Sequence, residues 1–192
     1  MMEYQKVPVT ICFNKCDLVS EKEKEKLQQI YAPAGYEILF TSVKTGENID
    51  NLKALLADKT TTVAGPSGVG KSSLINELQT GVRMQTGAIS DKIGRGKHTT
   101  RHSEIISIGQ DTYIMDTPGF SSMDLPGFEK EDLWTCYPEF VPYEPECRFI
   151  GCSHIGEPDC GVKNALAEGK ISQVRYDNYV MLYEEMKNIR KY

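Results

Sequence analysis

Apolar and polar positions along the first two thirds of the chain fall into short blocks that read alternately as strand and helix. Residues 7–13 (VPVTICF) form a brief apolar, β-branched run, the pattern of a buried strand. Ser20 followed by Glu23 has capping-box spacing, which predicts a helix running to about Tyr31 with the charges of EKEKEK on its solvated face. Glu37–Thr41 predicts a second strand, and Asn48 stands where it would cap a helix over residues 49–57. Residues 60–64 predict a third strand, leading directly into a glycine-rich turn and a helix from about residue 71 to 78. Residues 80–101 are polar and glycine-rich and read as a loop. Two more strands are predicted over roughly 102–108 and 111–115, joined by the turn-like Gly109-Gln110-Asp111. Beyond Pro118 the alternation stops. Proline, cysteine and aromatic residues rise over 126–160, and two helical stretches follow. The pattern predicts an α/β domain over 1–125 and a small α-helical domain over 126–192.

The turn after the third strand carries chemistry. Residues 65–72 read GPSGVGKS, the P-loop pattern Gly65-x-x-x-x-Gly70-Lys71-Ser72, set between a strand and a helix as the motif requires. Backbone N–H groups of Gly65, Ser67, Gly68, Val69 and Gly70 and of the helix start at Ser73 would surround phosphates, within a loop that also contains Pro66. Proline lacks an N–H, so Pro66 would serve by shaping that loop. Lys71 would reach the β- and γ-phosphates, and the Ser72 hydroxyl would ligate Mg²⁺. Asp116-Thr-Pro-Gly119 ends a strand, so Asp116 would sit on the Mg²⁺ side and the Gly119 N–H would sense the γ-phosphate.

Asn14-Lys15-Cys16-Asp17 follows the first strand. The Asp17 carboxylate can accept from the ring N–H and exocyclic amine of guanine, a pair of donors that adenine does not offer. Asn14 would brace the site and the Lys15 stem would cover the base. Thr41-Ser42-Val43-Lys44 fits the auxiliary base loop, with Ser42 in the nucleotide site and a backbone N–H near Val43 facing the guanine O6. GTP and GDP are the expected ligands. The order of the parts is unusual, because NKCD lies upstream of the P-loop. That order predicts a circularly permuted GTPase.

Thr99 and Thr100 lie between the P-loop helix and DTPG, where a threonine completes the Mg²⁺ shell; Thr100 is favoured, but spacing does not decide between them. Phe120 follows DTPG and has no hydrogen-bonding group. His98, beside the threonines, is therefore the nearest candidate to orient the attacking water. Cys147-x4-Cys152-x-His154-x5-Cys160 supplies three thiols and an imidazole on a short segment, a set that suits one closed tetrahedral Zn²⁺ site. Plain buried thiols are the alternative. Such a segment is expected to have little core of its own and to draw much of its order from the metal.

Composition narrows the setting. The 192 residues are 40% apolar, and 22 basic against 27 acidic residues leave a net charge of −5, so the chain has no general excess of positive charge for gripping nucleic acid. No apolar run approaches the ~20 residues of a membrane span and no signal peptide opens the sequence, which predicts a cytoplasmic protein with no membrane partner, expected as a monomer.

The permuted order, GPSGVGKSSL, GRGKHTTR, DTPGF and the Cys/His cluster together resemble the RsgA (YjeQ) family over nearly the whole chain. The resemblance implies a GTP hydrolase acting late in maturation of the small ribosomal subunit, contacting that subunit and its rRNA and stimulated by it. It implies a catalytic role for His98 and zinc ligation by Cys147, Cys152, His154 and Cys160. Two departures accompany it. The OB-fold that precedes the GTPase domain in the family is absent from this sequence. Only five strands are predicted where a Ras-like sheet has six, and the sixth belongs beside the P-loop strand. The expectation is a C-terminal fragment or truncated gene product whose unaided folding is in question, with a zinc- and RNA-binding module holding an inert nucleotide site as the competing reading.

Overall fold

A computed structural model describes residues 2–86, 104–116 and 128–188. The elements appear in the predicted order: β1 (Thr10–Asn14), α1 (Glu21–Tyr31), β2 (Glu37–Thr41), α2 (Ile49–Leu56), β3 (Thr60–Thr62), α3 (Lys71–Thr86), β4 (Glu104–Gly109), β5 (Thr112–Asp116), α4 (Gly161–Ala167) and α5 (Gln173–Asn188). Single 3-10 turns occupy Cys16–Leu18 and Ala32–Ala34, and two longer 3-10 segments cover Lys130–Cys136 and Val141–Glu146. Among the described residues no helix is long and apolar enough to cross a membrane.

Local chemistry explains most of these boundaries. Ser20 Oγ accepts from the Glu23 N–H, and the Glu23 carboxylate accepts from the Ser20 N–H at 2.8 Å, so both ends of the capping box close. Asn48 departs from expectation. It precedes α2 in a left-handed conformation, φ 57°, and its side chain makes no cap hydrogen bond. Instead its Nδ2 donates to the Phe40 carbonyl at 2.8 Å, tying the end of β2 to the start of α2. An asparagine can be spent this way because it tolerates positive φ better than most residues.

The strands form two sheets. β1 pairs with β2, while β3, β5 and β4 lie in that order, β3 parallel and β4 antiparallel to β5. Thr60 to Thr62 run in register with Tyr113 to Met115. Among the described residues no ladder joins β1 to β3, and β3, the strand that leads into the P-loop, is an edge of its sheet.

The chain divides into two compact units. One holds the described residues of Cys12–Val19 and Leu39–Asp124. Its core joins Ile49, Leu52 and Leu56 of α2 to Leu74, Ile75 and Leu78 of α3, with Ile108 of β4 and Ile114 of β5. The i, i+3, i+7 spacing on α2 and the i, i+1, i+4 spacing on α3 present one apolar stripe from each helix.

The other unit holds the described residues of Met1–Ile11, Ser20–Ile38 and Leu125–Tyr192. It contains more core than its sequence suggests. Leu133, Tyr137, Phe140, Cys152, Cys160, Val162, Ala165, Ile171 and Tyr179 form one buried cluster. Trp134 and Tyr143 pack against this cluster, so aromatic rings supply much of its volume. The Tyr137, Phe140 and Tyr179 rings pack at centroid separations of 5.0–5.2 Å. Arg175 of α5 sits beside them, with Nε and Nη2 donating to the two Glu139 carboxylate oxygens at 2.6 and 3.1 Å. Its guanidinium lies 4.7 Å from the Tyr137 ring centroid and 5.7 and 5.9 Å from those of Tyr31 and Tyr36. Bidentate pairing and aromatic faces together compensate the desolvated charge.

Candidate functional site

Two side-chain constellations stand out, one in each unit. The first gathers the loops that follow β1 and β2 around the P-loop. Lys15 adopts φ 65°, which turns the chain sharply out of β1 and into the Cys16–Leu18 turn. Cys16 is buried beneath it and Asp17 is left at the surface of the loop. Ser42 Oγ donates to Asp17 Oδ1 at 2.7 Å, and Lys44 Nζ lies 3.6 Å from Oδ2. The Ser42 hydrogen bond, outweighing a smaller effect of burial, holds the Asp17 carboxyl below its usual range, so it is an ionised acceptor at neutral pH. Ser42 itself is fully buried and its Oγ accepts from the Thr45 N–H at 3.2 Å, which fixes the hydroxyl in place.

This base-side loop is bound to the phosphate-side loop. Asn14 Nδ2 donates to the Val69 carbonyl at 3.0 Å, and Lys15 Nζ donates to the Gly68 carbonyl at 2.7 Å. Thr41 Oγ1 in turn donates to Asn14 Oδ1 at 3.4 Å. Gly70 shows why the motif needs glycine there. Its φ is +96°, and a Cβ would lie 2.4 Å from Asn14 Nδ2, so any side chain would displace the asparagine.

Within the P-loop, Lys71 Nζ donates to the carbonyls of Gly65 at 2.5 Å and Pro66 at 2.9 Å. The ammonium is thereby folded back onto the first two residues of the loop. Ser72 and Ser73 lie exposed in the first turn of α3, where free N–H groups and helix dipole favour an anion. Ser67 and Val69 are likewise on the exposed rim, and Val43 is half-buried beside Ser42.

Asp116 is the last residue of β5, with its backbone paired to Glu104. His98, Thr99, Thr100, Gly119 and Phe120 lie outside the described residues. The sequence placed Ser42 and Val43 at the nucleotide, with a backbone contact near Val43. It missed the grip of Ser42 and Lys44 on Asp17, for which the hydroxyl and ammonium in TSVK were the available signal.

The second constellation is Cys147, Cys152, His154 and Cys160, whose candidate ligand atoms all lie within 4.8 Å of one another. Cys147 Sγ and Cys160 Sγ are 3.8 Å apart, and His154 Nδ1 lies 3.6 and 3.4 Å from them. A tetrahedral Zn²⁺ with Zn–S of about 2.3 Å and Zn–N of about 2.0–2.1 Å would separate its sulfurs by about 3.8 Å and its nitrogen from each sulfur by about 3.6 Å. Cys147, His154 and Cys160 therefore fit that ion in spacing, and the fourth donor, Cys152, fits it in kind and lies within 4.8 Å of the other three. Burial, with added repulsion from the neighbouring thiols, pushes Cys152 up to about 12 and raises Cys160, while burial lowers His154 against the opposing pull of Glu157 and Glu144. A divalent cation reverses the preference for the thiols, since a coordinated thiolate is favoured and its proton is released.

The loop that carries His154 is held from two directions. Glu157 accepts from the Ser153 N–H and Oγ, both at 2.9 Å, and from the Ile155 N–H at 3.3 Å. Partial burial opposes its ionisation, but these hydrogen bonds prevail and bring its carboxyl down to about 2. From α5, Tyr179 donates to the Ser153 carbonyl and Tyr176 to the His154 carbonyl, each at 2.7 Å. Neither the glutamate nor the tyrosines were singled out from sequence, where nothing distinguishes them from an ordinary loop acid and helix aromatics.

Comparison with known proteins follows these features. The family model for RsgA GTPase matches residues 1–126. The chain is 74% identical over 192 residues to the small ribosomal subunit biogenesis GTPase RsgA of Agathobacter rectalis, covering all of this chain and 64% of that protein. It is 46% identical over 190 residues to the protein of the same description from Clostridium perfringens, covering 99% of this chain and 66% of that one. Among solved structures, YjeQ from Thermotoga maritima superposes with a TM-score of 0.76 at 35% identity, over 98% of this chain and 63% of that chain. YloQ, described as a circularly permuted GTPase, gives 0.74 at 31% identity, over all of this chain and 61% of that one. The chain thus spans slightly less than two thirds of the length of these curated relatives and structures.

Proposed function

Because the chain belongs to the RsgA GTPase family, we propose that it binds GTP and hydrolyses the β–γ phosphoanhydride with Mg²⁺, assisting late maturation of the small ribosomal subunit and responding to that subunit. The observation that carries this reading is the polar chain running from Asp17 through its loop to Asn14 and Lys15 and onto the P-loop carbonyls of Val69 and Gly68. It supports a site that measures a guanine base and a phosphate chain together. Nucleotide chemistry is assigned to 1–125 and metal binding to 126–192.

In this reading Asp17 accepts from the two guanine donors while Ser42 and Lys44 keep it charged and aimed. Backbone N–H groups of 65–73 surround the phosphates, with Lys71 balancing their charge. Ser72, Thr100 and Asp116 would hold Mg²⁺, which supplies charge neutralisation between the β- and γ-phosphates. His98 orients the attacking water, and the Gly119 N–H contacts the γ-phosphate. In the other unit Cys147, Cys152, His154 and Cys160 hold one structural Zn²⁺.

Asp17→Asn tests base recognition. Two charge-assisted hydrogen bonds, at roughly 1.5–3 kcal/mol each, put the expected loss of GTP affinity at about a hundredfold or more. Xanthosine nucleotides should gain, because their C2 oxygen pairs with an amide. Unchanged GTP binding by a folded variant removes Asp17 from the site. His98→Ala should lower single-turnover hydrolysis by about 10²-fold in the presence of small subunits while leaving GTP affinity intact. An unaltered rate would end its catalytic assignment.

The division of the described strands into two sheets, with β3 at an edge, favours one competing reading, a zinc- and RNA-binding module with an inert nucleotide site. Titration with a fluorescent GTP analogue separates the two. Saturable, Mg²⁺-dependent binding supports the enzyme, and its absence from a folded chain supports the module.

A further inference from the structure

The zinc-type cluster contains a histidine whose geometry needs explanation. His154 is fully buried and sits at φ +59°, a left-handed conformation uncommon for a non-glycine residue. Its Nδ1, not Nε2, faces the sulfurs of Cys147 and Cys160. The Nε2 is buried without a hydrogen-bond partner among the described residues, and the imidazole lies edge-on to the rings of Trp134 and Phe140, each with centroids 6.0 Å away. A histidine free to choose would not leave one nitrogen buried and unpaired. Something must impose the arrangement.

The surrounding hydrogen bonds do so through the backbone. Ser153 and Ile155, on either side of His154, both donate from their N–H groups to the one carboxylate of Glu157. The carbonyls of Ser153 and His154 are taken by Tyr179 and Tyr176 from α5. The His154 N–H points to Cys152 Sγ at 3.4 Å, the direction that stabilises a thiolate. Each polar backbone group near the histidine is thus committed.

We propose that Glu157, Tyr176 and Tyr179 are positioning residues of the Cys147–Cys152–His154–Cys160 metal site, setting the His154 backbone so that Nδ1 is the nitrogen offered to the ion. This rests on the zinc reading above. None of the three supplies a donor atom to the four-ligand set; they act through His154. Outer groups that orient a ligand change metal affinity by about 10–100-fold when removed.

The test uses the full chain. Zinc content of the wild-type protein is measured first, and about one equivalent is expected. Glu157→Gln, Tyr176→Phe and Tyr179→Phe are then titrated against a chromophoric zinc chelator, with Tyr183→Phe as the control, since its ring packs against Tyr179 on the same helix. The three variants should hold zinc about 10–100-fold more weakly. In the Co²⁺-substituted protein their tetrahedral absorption bands should weaken or shift. The control should match wild type in both measurements even if its Tm falls. Nitrogen-15 shifts of the zinc-loaded wild type should report Nδ1 ligation with the proton on Nε2. Absence of zinc from the wild type overturns the metal reading itself. Stoichiometric zinc with wild-type affinity and spectra in all three variants, or ligation through Nε2, overturns the positioning assignment alone.

Discussion

Lys71→Ala is expected to reduce GTP turnover by about a thousandfold. In the structure its ammonium is held by the Gly65 and Pro66 carbonyls, within the loop proposed to cradle the phosphates. A preorganised cation or donor facing developing charge contributes roughly 3–4 kcal/mol to a transition state, and here it would also offset the ground-state charge of the triphosphate. Both kcat and GTP affinity should therefore fall. Single-turnover hydrolysis with terminally labelled GTP, alongside binding of a fluorescent analogue, separates the two losses. A variant that folds, binds and hydrolyses like wild type would dissociate Lys71 from the reaction.

Removal of zinc should have the largest effect on order. With the ion absent, the burial that raises Cys152 and Cys160 and lowers His154 leaves all of them neutral. The apo site then loses the coordination bonds that tie all four side chains together, and the ends of the segment stay joined only through Arg148, whose N–H donates to the Asp159 carbonyl at 3.0 Å and whose Nη1 donates to the Asp159 carboxylate at 2.9 Å, and through the packing around them. Structural zinc sites of this kind contribute about 10–16 kcal/mol of apparent binding free energy at neutral pH. Amide exchange across 147–160 should accelerate by at least about 10²-fold on chelation, while amides of Leu74, Ile75 and Leu78 in α3 keep their protection. His154→Ala should reproduce the change without a chelator. Equal protection of 147–160 with and without zinc would show that the aromatic cluster around Phe140 and Tyr179 suffices by itself.

The elements that sequence patterning located are those whose signals are local. The Ser20–Glu23 box, the Glu37–Thr41 run and the start of α3 at Lys71 stand where periodicity and capping put them. So does the cysteine–histidine set, because thiols at short spacing have few other uses. Family membership was legible in the rotated motif order, and the family match supports it. What escaped depends on residues far apart in the chain. Arg175 and Glu139 meet across 36 positions, and neither a buried arginine nor its tyrosine surround has a pattern to read. The Asn48 side chain chose a carbonyl of the preceding strand over the helix end, a tertiary preference that helix-capping rules do not contain. The part that Tyr179 plays in the core of the metal-bearing unit escaped because α5 lies far along the chain from the Tyr137 and Phe140 rings it packs against.

The two hydrogen bonds from Asn14 and Lys15 to the P-loop join residues 55 and 53 positions apart. Closing a flexible loop of that length costs roughly 3–4 kcal/mol of chain entropy, whereas two exposed hydrogen bonds return about 1 kcal/mol each. They cannot hold the loops together by themselves. The difference must come from the apolar cluster in which α2 and α3 share Leu52, Leu56, Leu74 and Leu78. The gap between base reader and phosphate cradle is therefore a ruler whose length is set by leucine packing. Substituting Leu78, a residue that would touch no part of a nucleotide, would stretch that ruler and loosen the grip on every guanine nucleotide alike, without altering the preference for guanine over adenine.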